Sequence, residues 1–363
     1  MVAMSGGVDS SVTAWLLKSR GESIAGMFML NWDEPEDRER CTAPQDAADA
    51  QAVAEMLGIP FHVRNFSAEY WDQVFAEFLD ELAAGRTPNP DVLCNREIKF
   101  KVFLEHATDL GADSIATGHY ARRRERDGRF ELLKGVDPAK DQSYFLYLLD
   151  QQQLARARFP VGELTKTELR KIAADAGLPT AQKKDSTGIC FIGERRFDHF
   201  ISRYLDAEPG EIRTTDHRVI GTHRGLIHYT LGQRKGLGIG GVRGFEEAPW
   251  YVVAKDLEHN CLFVTQDPAD PHLNATRLRA IRPHWISGQP PDPERPVAAK
   301  IRYRQADQSA RIVSIDDHGF ELQFEGPQRA VTPGQSVVLY DGEVCLGGGI
   351  IDSSNALQPG WPA

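Results

Sequence analysis

The sequence has few cysteines, no long apolar run and no secretory signal. Its five cysteines are an odd number, they are widely scattered, and no two of them form a C-x-x-C pair. This pattern argues against a secreted disulfide framework and against a cysteine zinc site. No apolar run approaches the roughly 20 residues that a membrane span needs, and the N-terminus lacks a basic patch followed by an apolar stretch. We therefore expect a cytoplasmic protein with no membrane partner.

Positive charge is also in deficit, because the formal net charge is −10. The segment from Asn31 to Asp91 holds 14 Asp/Glu and 4 Lys/Arg, so it accounts for the whole excess. By contrast, Arg277 to Arg311 holds 8 Lys/Arg against 3 Asp/Glu, and a second basic cluster is formed by Arg122, Arg123, Arg124 and Arg126. Phosphate backbones respond to local patches more than to the total charge, so RNA remains a possible partner. Each cluster taken alone is equally well explained as a solvated face.

The length of 363 residues predicts two or three domains. The first 200 residues or so alternate strands and helices, which indicates a parallel sheet covered on both faces. Only Met1 to Met4 precede the first glycine-rich loop, so either the first strand is very short or the natural start lies upstream of Met1. The predicted helices are Ser10–Ser19, Ala47–Leu57, Tyr70–Ala84, Glu97–Leu110 and Lys166–Ala176. The predicted strands are Ile24–Leu30, Phe61–Phe66 and Ser114–Thr117.

The pattern changes after about Tyr204. Residues Gly210 to Gln266 are rich in glycine with short strand-like pieces, and from Leu278 onward the chain alternates strongly, which predicts a small C-terminal β-barrel. The predicted barrel strands are Ala298–Arg304, Ala310–Ile315, Phe320–Phe324, Ser336–Tyr340 and Val344–Leu346, with hairpin turns at His318-Gly319 and Asp341-Gly342. We therefore predict domains at 1–204, 205–270 and 271–363.

The most specific motif is S-G-G-V-D-S-S at Ser5–Ser11, which follows a strand and starts a helix. Glycines let the backbone approach an anion, and the amides of a helix start point at it. The string lacks the lysine of G-x-x-x-x-G-K-[ST], so it resembles the pyrophosphatase-type loop, which grips pyrophosphate and cuts ATP between the α- and β-phosphates. Asp9 would then help to hold Mg²⁺. The alternative is an ordinary glycine-rich turn with an N-cap serine.

Two of the cysteines lie in electropositive settings. Cys94 follows a loop that two prolines stiffen, and we expect a helix to begin about two residues after it, with Arg96 and Lys99 nearby. Such a setting can hold a thiolate below the free pKa of about 8.5. Cys190 is bracketed by Lys183 and Lys184 on one side and by Arg195 and Arg196 on the other. A buried core residue is the ordinary alternative for any cysteine, and it is the interpretation that we give to Cys41, Cys261 and Cys345.

Eight strings in order resemble the bacterial tRNA-specific 2-thiouridylases, the enzymes that make 2-thiouridine at the wobble position of certain anticodons. The resemblance covers nearly the whole chain, and so many motifs in order are far more specific than the loop alone. The strings are SGGVDSS (Ser5–Ser11), TPNPDVLCN (Thr87–Asn95), ATGHYARR (Ala116–Arg123), KDQSYFLY (Lys140–Tyr147), FPVGELTK (Phe159–Lys166), KKDSTGICFIGER (Lys183–Arg195), LGQRKGLGIGG (Leu231–Gly241) and IRYRQ (Ile301–Gln305).

The resemblance implies an α/β N-terminal domain with a parallel sheet, of the adenine nucleotide α-hydrolase-like or PP-loop type, a small central domain and a C-terminal β-barrel. It also implies which residues bind ATP. The phosphates would lie against Ala3, Met4, Ser5, Gly6, Gly7, Val8, Asp9 and Ser10, and the adenosine near Met29 and Gly118. Position 3 is alanine where the family usually has glycine, which puts little in doubt at the edge of the loop.

The same resemblance implies an RNA site and two catalytic cysteines. The target uridine would meet Asn89, Pro90 and Asp91, and tRNA would contact His119, Lys140, Asp141, Gln142, Arg302, Tyr303 and Gln335. Cys190 would carry a persulfide that a sulfur-donor protein loads, and Cys94 would be its catalytic partner.

The chemistry agrees with these roles. The C2 oxygen of uracil leaves poorly, so adenylation turns it into part of AMP, with ATP and Mg²⁺ as cofactors. A persulfide on Cys190 is then the nucleophile at C2. Either Cys94 attacks the persulfide and leaves a Cys94–Cys190 disulfide, or Asp91 or Cys94 handles protons directly. The sequence does not choose between these routes. The target base would be everted from the anticodon loop.

Two other functions fit part of the pattern. An adenylating ligase or amidotransferase that acts on a small carboxylate or carbonyl would need neither Cys94 nor Cys190. A non-catalytic RNA-binding protein would use the basic barrel and release no pyrophosphate from ATP, which the intact S-G-G-V-D-S-S loop argues against.

Overall fold

The computed structural model describes residues 1–33, 42–185 and 200–356. Its N-terminal part is built on a five-stranded sheet in the order β3-β2-β1-β4-β7, in which every neighbouring pair is parallel. The strands are β1 (Val2–Ala3), β2 (Gly26–Leu30), β3 (Phe61–Asn65), β4 (Ile115–Ala116) and β7 (Ala157–Arg158). The predicted parallel sheet is confirmed, and its first strand is only two residues long.

Apolar side chains cover both faces of this sheet. Val2 and Phe28 belong to one buried cluster, whereas their neighbours Ala3 and Met27 belong to another. Successive side chains of a strand point to opposite faces, so two separate clusters mean that the sheet is packed on both sides. A parallel sheet requires this, because its crossover helices lie on its faces.

Each of the five predicted helices has a counterpart, but the bounds differ. The helix predicted from Lys166 starts there, the other four start earlier than predicted, and three ends lie one residue earlier. The predicted helix Tyr70–Ala84 is interrupted by a π-helical segment, and the helix at Gln151–Arg156 has no predicted counterpart. The helices of this part are α1 (Val8–Ser19), α2 (Ala43–Leu57), α3 (Ser67–Tyr70), α4 (Ala76–Ala83), α5 (Pro90–Leu93), α6 (Phe103–Asp109), α7 (Gln151–Arg156) and α8 (Lys166–Asp175). Segments of π-helix, Trp71–Phe75 and Cys94–Val102, join α3 to α4 and α5 to α6. Within the described ranges, no helix combines the length and the apolar character that crossing a bilayer demands.

The central part is a four-stranded sheet in the order β10-β11-β8-β9. Its strands are β8 (Gly210–Thr214), β9 (Val219–His223), β10 (Tyr251–Asp256) and β11 (Cys261–Thr265). Ile212, Val252 and Leu262 are buried in a core of its own, which also contains Trp250. This separate core makes the central part a packing unit distinct from its neighbours.

The C-terminal part is a closed six-stranded barrel. The order is β12-β15-β14-β13-β16-β17, and a further pairing of β12 with β17 closes it. The strands are β12 (Asn274–Trp285), β13 (Val297–Lys300), β14 (Gln308–Ile315), β15 (Gly319–Arg329), β16 (Ser336–Asp341) and β17 (Val344–Ser354). The predicted barrel is confirmed, but the predicted strand Ala298–Arg304 is too long, because Ile301 to Arg304 form a turn after β13.

A hairpin from the N-terminal half joins the barrel sheet. Strands β5 (Ala121–Arg126) and β6 (Arg129–Lys134) pair with each other, and β6 then pairs with β17. The hairpin also neutralises much of the predicted arginine cluster, since Arg122 bonds Glu343 and Arg124 bonds Glu131. The division of the chain at 204 and 270 therefore remains a prediction, with this hairpin crossing it.

Two adjacent residues of β14 test the barrel core. Ile312 is buried and its neighbour Val313 is 43% exposed. Ile312→Ala leaves a cavity and should lower the free energy of unfolding by about 2–5 kcal/mol. Val313→Ala is the matched control and should change it by less than about 0.5 kcal/mol. Thermal and denaturant unfolding of the two variants measure the difference, and equal losses would contradict the barrel register.

Candidate active site

The topology of the parallel sheet places a crevice at the end of β1. The chain runs from β1 to β2 and β3 on one side, then crosses to β4 on the other. Ligands of open α/β sheets bind where the strand order reverses in this way, outside the carboxyl ends of the strands. The loop from Met4 to Gly7 follows β1, and Gly118 lies just beyond β4. The two segments therefore face the same crevice.

Two glycines of this crevice are required by close backbone approach. Gly6 has a φ of +73°, and a β-carbon on it would lie 2.2 Å from the carbonyl oxygen of Asp46 in α2. A β-carbon on Gly118 would lie 2.9 Å from the Ser10 nitrogen at the start of α1. Any larger side chain must push the backbone aside, because real β-carbons almost never approach so closely. The loop is thus held between α2 and the end of β4.

The serines of the motif hold the loop in shape. The hydroxyls of Ser10 and Ser11 donate to the Gly7 carbonyl at 3.0 and 2.8 Å, and the Ser5 amide donates to Ser10 Oγ at 3.1 Å. Gly7 is the N-cap residue of α1. The loop is therefore preorganised at a helix start, which carries partial positive charge and suits an anion.

Asp9 receives two donors from elsewhere in the chain. Tyr120 Oη donates to Asp9 Oδ1 at 2.9 Å, and Lys166 Nζ contacts the same oxygen at 2.7 Å. Burial and the Asp9 charge raise the pKa of Tyr120, so its hydroxyl stays a donor. Lys166 starts α8, whose first turn is fixed by a capping box between Thr165 and Glu168. The motif lacks a lysine, but the folded crevice has one.

A metal ion would need more than the protein in this crevice. Within residues 1–33, 42–185 and 200–356, no group of three or more His, Cys, Asp or Glu side chains is arranged to hold a metal. Mg²⁺ is commonly bound by one or two carboxylates together with phosphate oxygens and water. Asp9 fits such a role only as one ligand beside a bound nucleotide.

Lys166 also belongs to an ion-pair cluster around Asp185. Lys140, Lys166 and Arg170 approach the Asp185 carboxylate at 2.8, 2.8 and 2.7 Å. Burial raises the pKa of Asp185, but the hydrogen bonds from Lys140 and Lys166 outweigh it and hold the pKa well below its usual value. Because Lys166 pairs with both Asp9 and Asp185, the cluster links the loop of Ser5–Ser11 to Asp185.

The segment around Cys94 differs from its prediction. The helix begins at Pro90, before Cys94 rather than after it, because proline favours the first helical position and Asp91 suits the first turn. Cys94 is 1% exposed. It is also the first residue of the π-helical segment, a conformation that is rare and often found at functional sites. The predicted place of Cys94, in a stiff loop about two residues before a helix, is therefore wrong.

The barrel holds the residues before Pro90 and builds the other wall. Gln335 Nε2 donates to the Thr87 carbonyl at 2.7 Å, and Tyr303 packs its ring 4.4 Å from that of Phe145. Arg302 donates to the Ala330 carbonyl at 3.0 Å. The first two contacts bring Gln335 and Tyr303, which are far from Cys94 in sequence, to the side of the site where its helix starts. Arg302 is held within the barrel and lies near Tyr144.

His119 connects the two halves of the site. It follows Gly118, its Nδ1 lies 2.7 Å from Thr117 Oγ1, and its ring centre lies 6.0 Å from that of Phe100 on the helix of Cys94. Burial and the charge of Lys99 hold the pKa of His119 well below its usual value, so the ring is neutral at pH 7. One dipeptide therefore contacts the glycine loop at one end and the Cys94 helix at the other.

The tripeptide Lys140-Asp141-Gln142 is held mostly by the protein itself. Asp141 is buried, accepts a hydrogen bond from Ser143 Oγ and pairs with Lys300. Gln142 accepts a hydrogen bond from the Tyr120 amide. Lys140 and Gln142 are partly exposed, whereas the buried Asp141 shapes the turn beneath them. RNA contact by this tripeptide stays a prediction.

The remaining cysteines separate into two groups. Cys261 and Cys345 are buried, and burial raises the pKa of both thiols, which confirms that they are core residues. Cys41 and Cys190 lie outside the described residues, so the structure does not test the predicted persulfide position at Cys190. Met29 lies in the second half of β2 and is partly buried, near the end that faces the crevice.

Sequence reasoning missed four residues of the site: Tyr120, Tyr144, Lys166 and Asp185. Tyr144 donates to the Ser336 carbonyl at 2.9 Å and lies beside the Asn89 side chain. All four lie inside strings that were recognised as motifs, so the signal was present. Their partners lie far away in the chain, and no local pattern reveals such pairs.

Three family models match the chain in order. They are described as the tRNA methyl transferase HUP domain over residues 1–194, the tRNA methyl transferase PRC-barrel domain over 198–266 and the aminomethyltransferase beta-barrel domain over 275–351. The N-terminal parallel sheet, the central part and the closed barrel are therefore a HUP domain, a PRC-barrel domain and a β-barrel domain.

Curated relatives match at high identity. The tRNA-specific 2-thiouridylase MnmA of Chromohalobacter salexigens is 59% identical over 354 residues, which are 98% of this chain and 92% of the relative. The tRNA-specific 2-thiouridylase MnmA of Pseudomonas paraeruginosa is 59% identical over 358 residues, which are 98% of this chain and 95% of the relative.

Gly118→Ala tests the nucleotide crevice. The added methyl group would meet the backbone at Asp9 and Ser10, and overpacking typically costs about 1–3 kcal/mol. We expect ATP to bind roughly tenfold more weakly, which corresponds to about 1.4 kcal/mol, in a titration by calorimetry. Gly326→Ala is the control, because nothing lies within 4 Å of its added atom. Equal affinities in a folded Gly118→Ala variant would refute the assignment.

Proposed function

The chain belongs to the family of the tRNA-specific 2-thiouridylases, enzymes that modify tRNA by sulfur transfer, and from that premise we propose that it adenylates the C2 oxygen of a wobble uridine and replaces it with sulfur. One observation carries this proposal beyond the family name. The dipeptide Gly118-His119 contacts the start of α1 with one residue and packs against the helix of Cys94 with the other. This packing supports a single site that contains both a nucleotide loop and a thiol.

The first step is attack of the uracil C2 oxygen on the α-phosphorus of ATP, which releases pyrophosphate and leaves an O-adenylated base. The amides at the start of α1 and the glycine loop would bind the departing pyrophosphate. Lys166 lies 2.7 Å from Asp9 in this loop, so it supplies the cation that the motif lacks. Mg²⁺, when bound beside Asp9, would neutralise further phosphate charge.

The second step is sulfur transfer from a persulfide on Cys190. Its terminal sulfur forms a bond to C2, and AMP departs with the original oxygen. Cys94 then attacks the Cys190 sulfur, which breaks the sulfur–sulfur bond, leaves the sulfur on the base and forms a Cys94–Cys190 disulfide. An external thiol reductant reopens the disulfide, and a persulfide-carrying donor protein reloads Cys190. In the alternative route, Asp91 or Cys94 transfers protons, and the external thiol instead of Cys94 attacks the Cys190 sulfur, breaks the sulfur–sulfur bond and leaves the sulfur on the base.

The burial of Cys94 restricts when this step can occur. The thiol is 1% exposed and belongs to a core cluster with Val92 and Ile98. A reaction at its sulfur therefore needs the helix start to shift or the target base to reach inward. The π-helical segment that begins at Cys94 supports such a shift, since a π-turn is less stable than an α-turn and can rearrange at lower cost.

The RNA would approach from the side where the barrel meets Pro90. Asn89, Pro90 and Asp91 start the helix of Cys94, and Tyr303 and Gln335 face them from the barrel. An everted pyrimidine fits such an arrangement, because single-stranded bases are commonly read by amides and stacked on aromatic rings. His119, Lys140, Gln142 and Arg302 would contact the surrounding tRNA.

Serine variants of the two proposed catalytic cysteines test this function. Incubation with unmodified tRNA, ATP, Mg²⁺ and a persulfide donor should yield 2-thiouridine with the wild-type chain, scored by mass spectrometry of digested tRNA. Cys94→Ser and Cys190→Ser should lower the yield at least a hundredfold, because neither hydroxyl can carry or accept persulfide sulfur. Cys190→Ser should still release pyrophosphate from ATP in the presence of tRNA.

Cys261→Ser is the matched control. Its thiol already donates to the His259 carbonyl at 3.4 Å, so a hydroxyl can replace it and the yield should stay near that of the wild type. Full thiolation by Cys190→Ser, or pyrophosphate release that ignores tRNA, would instead support a ligase that acts on a small substrate.

A further inference from the structure

The segment Gly85–Pro88, which leads into the start of the Cys94 helix, is held by two other parts of the chain. It contains no helix or strand of its own. A connection without regular structure is held in place only by the contacts that other elements make with it. The Gly85 and Arg86 amides close the end of α4 by donating to the Leu82 and Glu81 carbonyls. The other partners of the segment come from the barrel on one side and from the central four-stranded part on the other.

The barrel contacts lie at the end of the segment. The Thr87 amide donates to the Pro333 carbonyl at 2.9 Å, and Gln335 Nε2 donates to the carbonyls of Thr87 and Pro88 at 2.7 and 3.3 Å. Gly334 has a φ of +90°, and a β-carbon on it would lie 2.8 Å from the Thr87 nitrogen. Three backbone groups of Thr87 and Pro88 are thus fixed against one turn of the barrel.

The central part contacts the beginning of the segment. Lys255 of β10 extends its Nζ to the Gly85 carbonyl at 3.0 Å, and Thr230 Oγ1 lies 3.4 Å from Thr87 Oγ1. Leu257, two residues beyond Lys255, packs so closely on Gly85 that a β-carbon there would lie 2.8 Å from its side chain. Gly85 has a φ of +74°, so the chain turns at the point where Lys255 holds it.

The burial of the charged Lys255 side chain has a free-energy cost. It is 5% exposed, and burial lowers its pKa to about 8. Within the described part of the chain, no carboxylate lies within ion-pair distance of it, and its hydrogen-bond partner is a single carbonyl. Burying an ammonium group without a carboxylate disfavours folding. Stability alone therefore does not account for a lysine here, whereas a directed hydrogen bond to Gly85 does.

We propose that the central part serves as a positioning domain for the target-base segment, with Lys255 as its positioning residue. This inference rests on the proposed function, because the residues that Lys255 aligns are Asn89, Pro90 and Asp91. Lys255 binds Gly85, the barrel binds Thr87 and Pro88, and the helix start at Pro90 follows directly after these two anchors. Reactions that depend on alignment lose roughly a hundredfold in rate when a group is displaced by about 1 Å.

Lys255→Met tests the proposal in the full-length chain. Methionine has a similar shape and removes both the donor and the buried charge, so the melting temperature should stay equal or rise. The kcat for 2-thiouridine formation should fall at least tenfold. The KM for ATP should stay unchanged, because the described contacts of Gly85–Pro88 do not include the glycine loop. Thr230→Val should give a smaller loss in the same direction.

Hydrogen exchange provides a readout that does not depend on activity. The Thr87 amide should exchange faster in Lys255→Met than in the wild type, because the segment that carries it is no longer anchored at Gly85. Lys171→Met is the matched control, since Lys171 is exposed on α8 and should change neither exchange nor kcat.

The outcomes separate this inference from the proposed function. A wild-type chain that makes no 2-thiouridine would overturn the function, while the exchange data would still decide whether Lys255 anchors the segment. Wild-type kcat in Lys255→Met would overturn the positioning role. So would a kcat loss that merely parallels a lower melting temperature, because that is the behaviour of a residue needed only for folding.

Discussion

The close approach of Gly118 to the start of α1 is the constraint on which the site depends. Two parallel strands, β1 and β4, end side by side, and the backbone after one touches the helix that follows the other. This contact leaves no room for a side chain at Gly118, and the next residue, His119, packs against Phe100 on the helix of Cys94. The glycine loop and this helix are thus linked through one dipeptide at the point where the sheet reverses its strand order.

The positive charge at the glycine loop comes from a residue that is distant in sequence. The motif has no lysine, so a pyrophosphate there would meet only amides and hydroxyls if the string were taken alone. Lys166 fills this role from the start of α8, and it is shared between Asp9 and Asp185. Lys166 can exchange Asp185 for a phosphate oxygen without leaving that carboxylate unpaired, because Lys140 and Arg170 also pair with it. The binding of a nucleotide would then change the ion pairs of Asp185, including its pair with Lys140.

The parts of the fold that sequence could predict are those governed by local rules. The glycine loop, the helix ended by Gly58 and the alternating barrel strands are set by residues within a few positions of one another. The predicted start of the Cys94 helix is wrong, because two prolines indicate a stiff loop, whereas Pro90 occupies the first helical position. The pairing of β6 with β17 and the contacts of Lys166 and Lys255 join residues far apart in the chain, and no local pattern encodes them. The roles of Cys190 and of the RNA-contacting residues stay predictions.

The helix of Cys94 is stabilised from outside rather than by its own cap. In the described part of the chain, the Asn89 side chain makes no capping hydrogen bond to this helix, although asparagine is a favoured N-cap residue. It lies instead beside the Tyr144 hydroxyl, which donates to the Ser336 carbonyl of the barrel. A helix start that gives up its cap needs other supports, and the contacts of Gln335 and Lys255 on the preceding segment provide them. The Asn89 side chain hydrogen-bonds the Tyr144 hydroxyl instead of capping its own helix, and Tyr144 in turn is bound to the barrel. The position of this helix start is therefore set by the other parts of the chain rather than by its own first turn.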